Sequence, residues 1–259
     1  MDSVSFSLPW QDALSGFALI LRAGAFVAVA PVIGADGLPR RIRIGVAVVL
    51  VVLLAPVVPA PDPSTGLLKL VATESLIGLV LGFAGRMIVE ATVYAGGLAG
   101  YPTGLAIATL LDPVTNLTIP TLGTLYRLLG VLAFIAIGGH HQMLAVLARS
   151  YEIVPAGAAS LSGPWIEGAV DICGRVVLLG FRLAAPIVAA GLLVDLMLML
   201  IARAVPQMHI LIVGAPIRLI VGLLAVGFSL HVIVPLVAEA TDGTLRDAAG
   251  FLRAVAATP

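Results

Sequence analysis

The sequence predicts an all-helical, polytopic membrane-associated protein. Of its 259 residues, 60% are hydrophobic and only 11% are charged. A soluble domain carries roughly 25% charged residues, so this chain is too apolar to be an ordinary soluble domain. Apolar blocks follow one another along the chain, and stretches rich in proline and glycine separate them. Each block is apolar on every side, which is typical of helices that are buried or face lipid.

The apolar blocks define the expected helices in chain order. They cover residues 13–33, 44–59, 67–93, 122–148, 172–201 and 208–237. A helix that crosses a bilayer needs about 20 apolar residues, so the second block is short for a span and the fifth is long. With short connections between the blocks, we expect about five to seven helices.

Glycines recur at four-residue spacing in two places. Gly78 and Gly82 lie in the third block, and a second run begins at Gly96 and ends at Gly104. In a helix this spacing forms a groove that a second backbone can approach closely. Pro102 interrupts the second run, so we expect a kinked helix there.

Ionisable residues lie inside the apolar blocks, although each would cost about 2.5–3.5 kcal/mol at the centre of a lipid-facing helix. They are Arg22, Glu74, Arg86, Glu90, Arg127, Arg175, Arg182, Asp195 and Arg218. Arg86 and Glu90 are four residues apart and can pair on one helix face, as can Asp171 and Arg175. The remaining charges have no obvious partner within their own helix.

These interior charges have two main explanations. Arg22 and Arg175 lie near block ends, where long side chains can extend to the membrane interface. The charges well inside their blocks are expected to be buried or to contact partner subunits that supply counter-charges. These are Arg86, Glu90, Arg182 and Asp195. A proton relay is a weaker third explanation, because the interior is rich in arginine rather than in aligned Asp, Glu or His.

No motif of an enzyme, a metal site or a cofactor site is visible. The single cysteine, Cys173, excludes an intramolecular disulfide and a CxxC motif. The adjacent His140 and His141 point to different helix faces, so they do not form a metal pair. A formal net charge of +0 gives no support for a nucleic-acid partner. We therefore predict a protein that is not an enzyme and needs no cofactor or metal.

The segment "LLDPVTNLTIP", residues 110–120, breaks the apolar pattern. Pro113 and Pro120 lack N–H groups and bias the residues before them toward extended backbone, so a regular helix is not expected. One interpretation is an ordinary turn outside the bilayer, and the segment by itself slightly favours it. The other is an apolar re-entrant loop that closes a pore, since non-helical backbone at membrane depth must be buried in protein or line a cavity.

Several segments occur in the order of a known family and cover nearly the whole chain. They are "APVIGADGLPRRIRIG" (30–45), "ESLIGLVLGF" (74–83), "DPVTNLTIPTLG" (112–123), "GGHHQMLAVLARSYEIVPAG" (138–157), "LAAPIVAAGLL" (183–193) and "PQMHILIVGAPIRLIVGLL" (206–224). On these residues the chain resembles the FliR family of bacterial flagellar type III export apparatus proteins, to which injectisome proteins are homologous. The fourth and sixth segments are the most specific.

The resemblance implies a core subunit of the flagellar export gate in the bacterial inner membrane, within the flagellar basal body. The implied partners are FliP-like and FliQ-like subunits, an FlhB-like subunit, unfolded export substrates and membrane lipid. Family members assemble into a helical, pseudo-symmetric gate, much of which lies above the membrane plane. Partner subunits in such an assembly would explain the interior charges.

The resemblance also implies a role for residues 110–120, because the corresponding loop plugs the closed channel in the family. The implied plug residues are Leu110, Leu111, Asp112, Pro113, Val114, Leu117, Ile119 and Pro120. The apolar members would form the stopper, and Asp112 with the prolines would shape the loop. Residues 1–171 would form a FliP-like helical portion that includes this loop, and residues 172–259 a FliQ-like helical hairpin with a C-terminal tail.

Two alternatives to a flagellar gate subunit remain. One is a gate subunit of an injectisome. The other is a secondary transporter with a discontinuous helix at the bilayer midplane, whose small-molecule site would lie near Asp112, Asn116 and Arg127. A transporter should be stable alone or as a homo-oligomer, whereas a gate subunit should require its partners.

Overall fold

The fold is all-helical, as the sequence predicts. The computed structural model describes residues 10–34, 38–56, 58, 61, 65–103, 121–160, 165–205 and 210–257. Within these residues seven helices are present: α1 (Trp10–Val29), α2 (Arg40–Leu54), α3 (Leu67–Gly100), α4 (Thr121–Ala136), α5 (Gly139–Ile153), α6 (Trp165–Ala204) and α7 (Ile210–Ala257). By length and composition, α3, α6 and α7 contain stretches able to cross a membrane: Leu67–Gly100, Val170–Ala204 and Gly214–Ala256.

The fourth apolar block forms two helices rather than one. Leu122–Ala136 of α4 and Gly139–Ile153 of α5 meet at a bend of 64°. Gly138 in the break has a φ of 71°, a left-handed conformation that glycine adopts without steric cost. A fourth candidate span exists if this bent pair crosses the membrane as one unit. The sequence carries a signal for the break, because the pair Gly138–Gly139 and the polar residues after it interrupt the apolar pattern. The expected block of 122–148 nevertheless extended through it.

The other differences concern helix ends. α6 continues through Pro186, and α7 through Pro216 and Pro235, so both are longer than their apolar blocks. Proline is tolerated inside membrane helices because neighbouring groups can satisfy the freed backbone carbonyl. The expected kink at Pro102 is wrong, since α3 ends at Gly100 and a turn follows. The residue before a proline disfavours helical backbone, which explains why the helix stops.

Contacts divide the described residues into two compact units. Unit 1 comes from the segments Met1–Arg86, His140–Ile172 and Gly243–Pro259, and unit 2 from Met87–Gly139 and Cys173–Asp242. This division differs from the predicted boundary at residue 171. That boundary separates the FliP-like portion from the FliQ-like portion, and it stays a prediction.

In unit 1, α1 lies against the first half of α3 with the two backbones in close approach. A Cβ built on Gly82 would lie 2.7 Å from the carbonyl oxygen of Phe26. A Cβ built on Gly78 would meet the carbonyl oxygen of Arg22. The prediction that these two glycines admit a second backbone is therefore confirmed.

In unit 2, the second half of α3 contacts α4 and α6. Gly96 faces the backbone of Leu122, and a Cβ there would lie 2.5 Å from the Leu122 carbonyl oxygen. On another side of α3, the Tyr94 ring meets the Phe181 ring edge-on, with 5.9 Å between centroids. The glycine spacing at the end of α3 thus serves helix packing as well.

Candidate functional site

The predicted plug lies outside the described residues. This applies to Leu110, Leu111, Asp112, Pro113, Val114, Leu117, Ile119 and Pro120. The structure does describe the residues on either side. Residues 101–103 follow α3, and α4 begins at Thr121. These two stems bound the segment that contains the predicted plug.

A buried ion pair lies at the centre of unit 1. Arg22 of α1 and Glu74 of α3 are both 0% exposed. The guanidinium donates from Nε to Glu74 Oε2 at 2.7 Å and from Nη2 to Oε1 at 2.9 Å. This two-point arrangement is the strong form of an arginine–carboxylate interaction. Glu74 precedes Gly78 by one helical turn, so the close approach of α1 at that glycine lets the guanidinium reach the carboxylate.

The α5 end of unit 1 supplies two further acceptors for Arg22. Nη1 donates to Ser150 Oγ at 3.1 Å, and Nη2 donates to the Val154 carbonyl at 3.1 Å. The Tyr151 ring lies under the guanidinium, 4.1 Å from Cζ to the ring centroid, as in a cation–π contact. Every nitrogen of the buried cation therefore has an acceptor.

The loop after α5 donates a further hydrogen bond to the Glu74 carboxylate. The backbone N–H of Gly157 donates to Glu74 Oε1 at 3.0 Å. Gly157 has a φ of 76°, a conformation that other residues adopt at a steric cost. The segments "ESLIGLVLGF" and "SYEIVPAG" thus converge on Arg22, which gives them a physical role: they supply the counter-charge and the hydrogen bonds of one buried arginine.

The expectation that Arg22 extends to the membrane interface is wrong. Its side chain is fully buried, because Glu74 and the α5 end provide in the protein what water would provide at the interface. The sequence contained a signal for this pair: Arg22 and Glu74 are isolated charges in apolar blocks. A search for partners within single helices cannot find this pair, because its two residues lie on different helices.

The other interior charges lie in partly exposed positions. Arg182 pairs with Glu239 at 3.3 Å, with the side chains 52% and 69% exposed. Asp195 Oδ1 lies 2.8 Å from Arg218 Nε, without the alignment of a hydrogen bond. Each pair joins α6 to α7 within unit 2. Counter-charges for Arg182 and Asp195 thus come from this chain, and contact with a partner subunit stays a prediction.

Glu90 and Arg86 lie on α3. Glu90 pairs with Arg127 of α4 at 3.7 Å, and both side chains are partly exposed. Arg86 is half-buried and has an interaction within the protein. The position of Glu90 places a charge pair between α3 and α4, next to the contact at Gly96.

A buried hydroxyl pair links α4 to α7 in unit 2. Ser229 Oγ donates to the Val226 carbonyl at 2.7 Å, so Tyr126 OH is the donor in its hydrogen bond to Ser229 Oγ. Tyr126 is 0% exposed and Ser229 is 1% exposed. Each hydroxyl therefore has a hydrogen-bond partner within the protein.

Tyr126→Phe is expected to reduce stability by about 1 kcal/mol, because Ser229 keeps its own bond to Val226 and only one hydrogen bond is lost. The measurement is the temperature at which the chain in isolated membranes loses half of its resistance to protease. Tyr94→Phe is the matched control, since Tyr94 is 41% exposed. Equal midpoint shifts in the two variants would contradict the assignment.

Among the described residues, no group of three or more His, Cys, Asp or Glu side chains could hold a metal ion. The His140 and His141 rings are close neighbours, with centroids 4.0 Å apart and an angle of 38° between the ring planes. Cys173 is exposed and free.

Known proteins resemble this chain over most of its length. Residues 13–244 match the family described as "Bacterial export proteins, family 1". The flagellar biosynthetic protein FliR of Escherichia coli (strain K12) is 30% identical over 219 residues, which are 83% of this chain and 84% of that protein. FliR of Bacillus subtilis (strain 168) is 28% identical over 252 residues, 94% and 97% of the two chains. The Yop proteins translocation protein T of Yersinia pestis is 28% identical over 155 residues, 59% of each chain.

These similarities confirm the family that the motifs indicate. The family is one of export proteins rather than enzymes. Its matched region begins in α1 and ends in α7, so it includes the buried ion pair and both stems of the predicted plug. The chain belongs to the FliR family of bacterial export proteins.

Proposed function

We propose that this chain is a core subunit of the flagellar type III protein export gate and forms, with FliP-like and FliQ-like subunits, the channel for unfolded flagellar substrates. The observation that carries the proposal is the family match over residues 13–244. An FlhB-like subunit associates with the gate. The location is the inner membrane, at the flagellar basal body. The membrane helices α3, α6 and α7 fit this location.

A flagellar role fits better than an injectisome role. The two flagellar relatives named above align over 83% and 94% of this chain, whereas the Yersinia protein aligns over 59%. The proposed hairpin likeness to FliQ is supported by α6 and α7, two long apolar helices joined by two ion pairs. The sites that we propose for contact with the partner subunits are Arg86, Glu90, Arg182 and Asp195.

Residues 110–120 form the channel plug in this proposal. Five apolar side chains act as the stopper, and the prolines keep the segment from becoming helical. They are Leu110, Leu111, Val114, Leu117 and Ile119. An apolar constriction excludes water and ions, so it can close a channel without covalent bonds or ion pairs across it.

Deletion of residues 110–120 is the test. In cells that overproduce the chain with its FliP-like and FliQ-like partners, the deletion is expected to raise the leak of small ions across the inner membrane. A second variant keeps the length of the loop and replaces the five apolar residues by serine. It should also leak, because the seal depends on apolar side chains and not on the length of the loop. Co-purification of the partners checks assembly. An assembled deletion variant with no added leak would contradict the plug role and leave only a structural role for the loop.

A further inference from the structure

The turn that leads into the predicted plug rests on two glycines of α6 and α7. We propose that Gly191 and Gly222 are positioning residues for the plug, because they form a seat that fixes the turn Tyr101–Thr103. The proposal rests on the function proposed above for residues 110–120. Its physical basis lies wholly in described residues of unit 2.

Gly191 of α6 receives Pro102. A Cβ built on Gly191 would collide with the proline ring and would lie 3.3 Å from the Pro102 Cα. A proline ring cannot rotate away as the end of a flexible side chain can, and its φ is fixed. A side chain at position 191 would therefore push the whole turn away from α6.

Gly222 of α7 receives Thr103. A Cβ built on Gly222 would lie 2.8 Å from Thr103 Cβ and 3.0 Å from its Cα. Thr103 is only 1% exposed, and its hydroxyl donates to the Gly100 carbonyl at 3.0 Å. The Thr103 hydroxyl thus has its hydrogen-bond partner within the turn. Thr103 can therefore be buried against Gly222 without a hydrogen bond to α7.

The other stem returns to the same end of α3. Leu122 is 4% exposed and lies against Gly96, where a Cβ would be 2.8 Å from the Cα of Gly123. Gly96 and Gly100 are one helical turn apart, about 6 Å along the axis. Both stems of the predicted plug therefore start near the last turn of α3, and the seat on α6 and α7 sets the direction in which the first stem leaves.

Other glycines of α6 and α7 provide matched controls. Gly174 and Gly227 have no atom within 4 Å of an added Cβ. Valine has a slightly better helix propensity than glycine, so Gly174→Val and Gly227→Val introduce bulk without disturbing packing. Gly191→Val and Gly222→Val introduce the same bulk into the seat.

The experiment measures ion leak in cells that make the complete complex, with the 110–120 deletion in parallel. Gly191→Val and Gly222→Val are expected to assemble with the partners and to leak toward the level of the deletion, while the two control variants stay at the wild-type level. If the deletion leaks and the assembled seat variants do not, the seat is overturned and the plug stands. If the deletion itself does not leak, the proposed plug function fails.

Cysteine labelling provides a readout that does not depend on leak. In a Cys173→Ser background, Thr103→Cys should resist a maleimide in the assembled complex, because Thr103 is 1% exposed and lies against Gly222. Adding Gly222→Val should make the thiol reactive, whereas adding Gly227→Val should not. A thiol that is labelled without the valine, or that Gly222→Val leaves protected, overturns the seat. The expected labelling pattern without leak in the deletion keeps the seat and removes the plug function.

Discussion

Arg22→Ala is expected to reduce strongly the amount of chain that accumulates in folded form. Removing one partner of a buried ion pair leaves an uncompensated charge, at a cost of about 3–5 kcal/mol. Here the unpaired group would be the Glu74 carboxylate, which is 0% exposed. A folded protein has a total stability of about 5–15 kcal/mol, so the loss is a large fraction of it. The measurement is the amount of chain in isolated membranes together with its resistance to protease.

Two variants control this prediction. Arg182→Ala also breaks an arginine–glutamate pair, but both side chains are more than half exposed, so the change should cost about 0–1 kcal/mol. The double variant Arg22→Met with Glu74→Leu removes both charges, and such replacement is often close to neutral. It should therefore accumulate better than Arg22→Ala. If Arg22→Ala and Arg182→Ala accumulate to the same level, the buried pair contributes no more to the stability of unit 1 than an exposed pair does.

Gly78→Val is expected to separate α1 from α3. The added Cβ would meet the carbonyl oxygen of Arg22, a backbone atom that cannot rotate away. Overpacking of this kind typically costs about 1–3 kcal/mol. A shift of α1 would also pull the guanidinium away from Glu74, so we expect a loss of membrane accumulation close to that of Arg22→Ala.

Gly97→Val is the matched control on the same helix. No atom lies within 4 Å of a Cβ built at that position, and valine is no worse than glycine in a helix. The control should accumulate as the wild type does, measured by the same membrane and protease assays. Comparable losses in Gly78→Val and Gly97→Val would show that bulk anywhere on α3 is harmful and that the close approach of α1 is not the cause.

The helices and their glycine contacts could be read from local patterns. Apolar blocks predict helices because lipid and protein interiors both select apolar side chains, and Gly78 with Gly82 predicts a groove because their spacing places them on one helix face. The bend between α4 and α5 has a weaker signal, the pair Gly138–Gly139 inside an apolar block. A glycine pair predicts a possible break but not its angle, and only the structure gives the positive φ of Gly138 and the 64° bend.

The charged residues show the limit of sequence reasoning more clearly. The sequence determined that Arg22, Glu74 and Asp195 lie in apolar helices and therefore need partners. The tertiary structure alone decided which partners: Glu74 for Arg22, buried in unit 1, and Arg218 for Asp195, on the partly exposed side of α6 and α7. The physical reason is that a helix pattern has a period of a few residues, whereas Arg22 and Glu74 are 52 residues apart and meet only because two glycines let α1 approach α3.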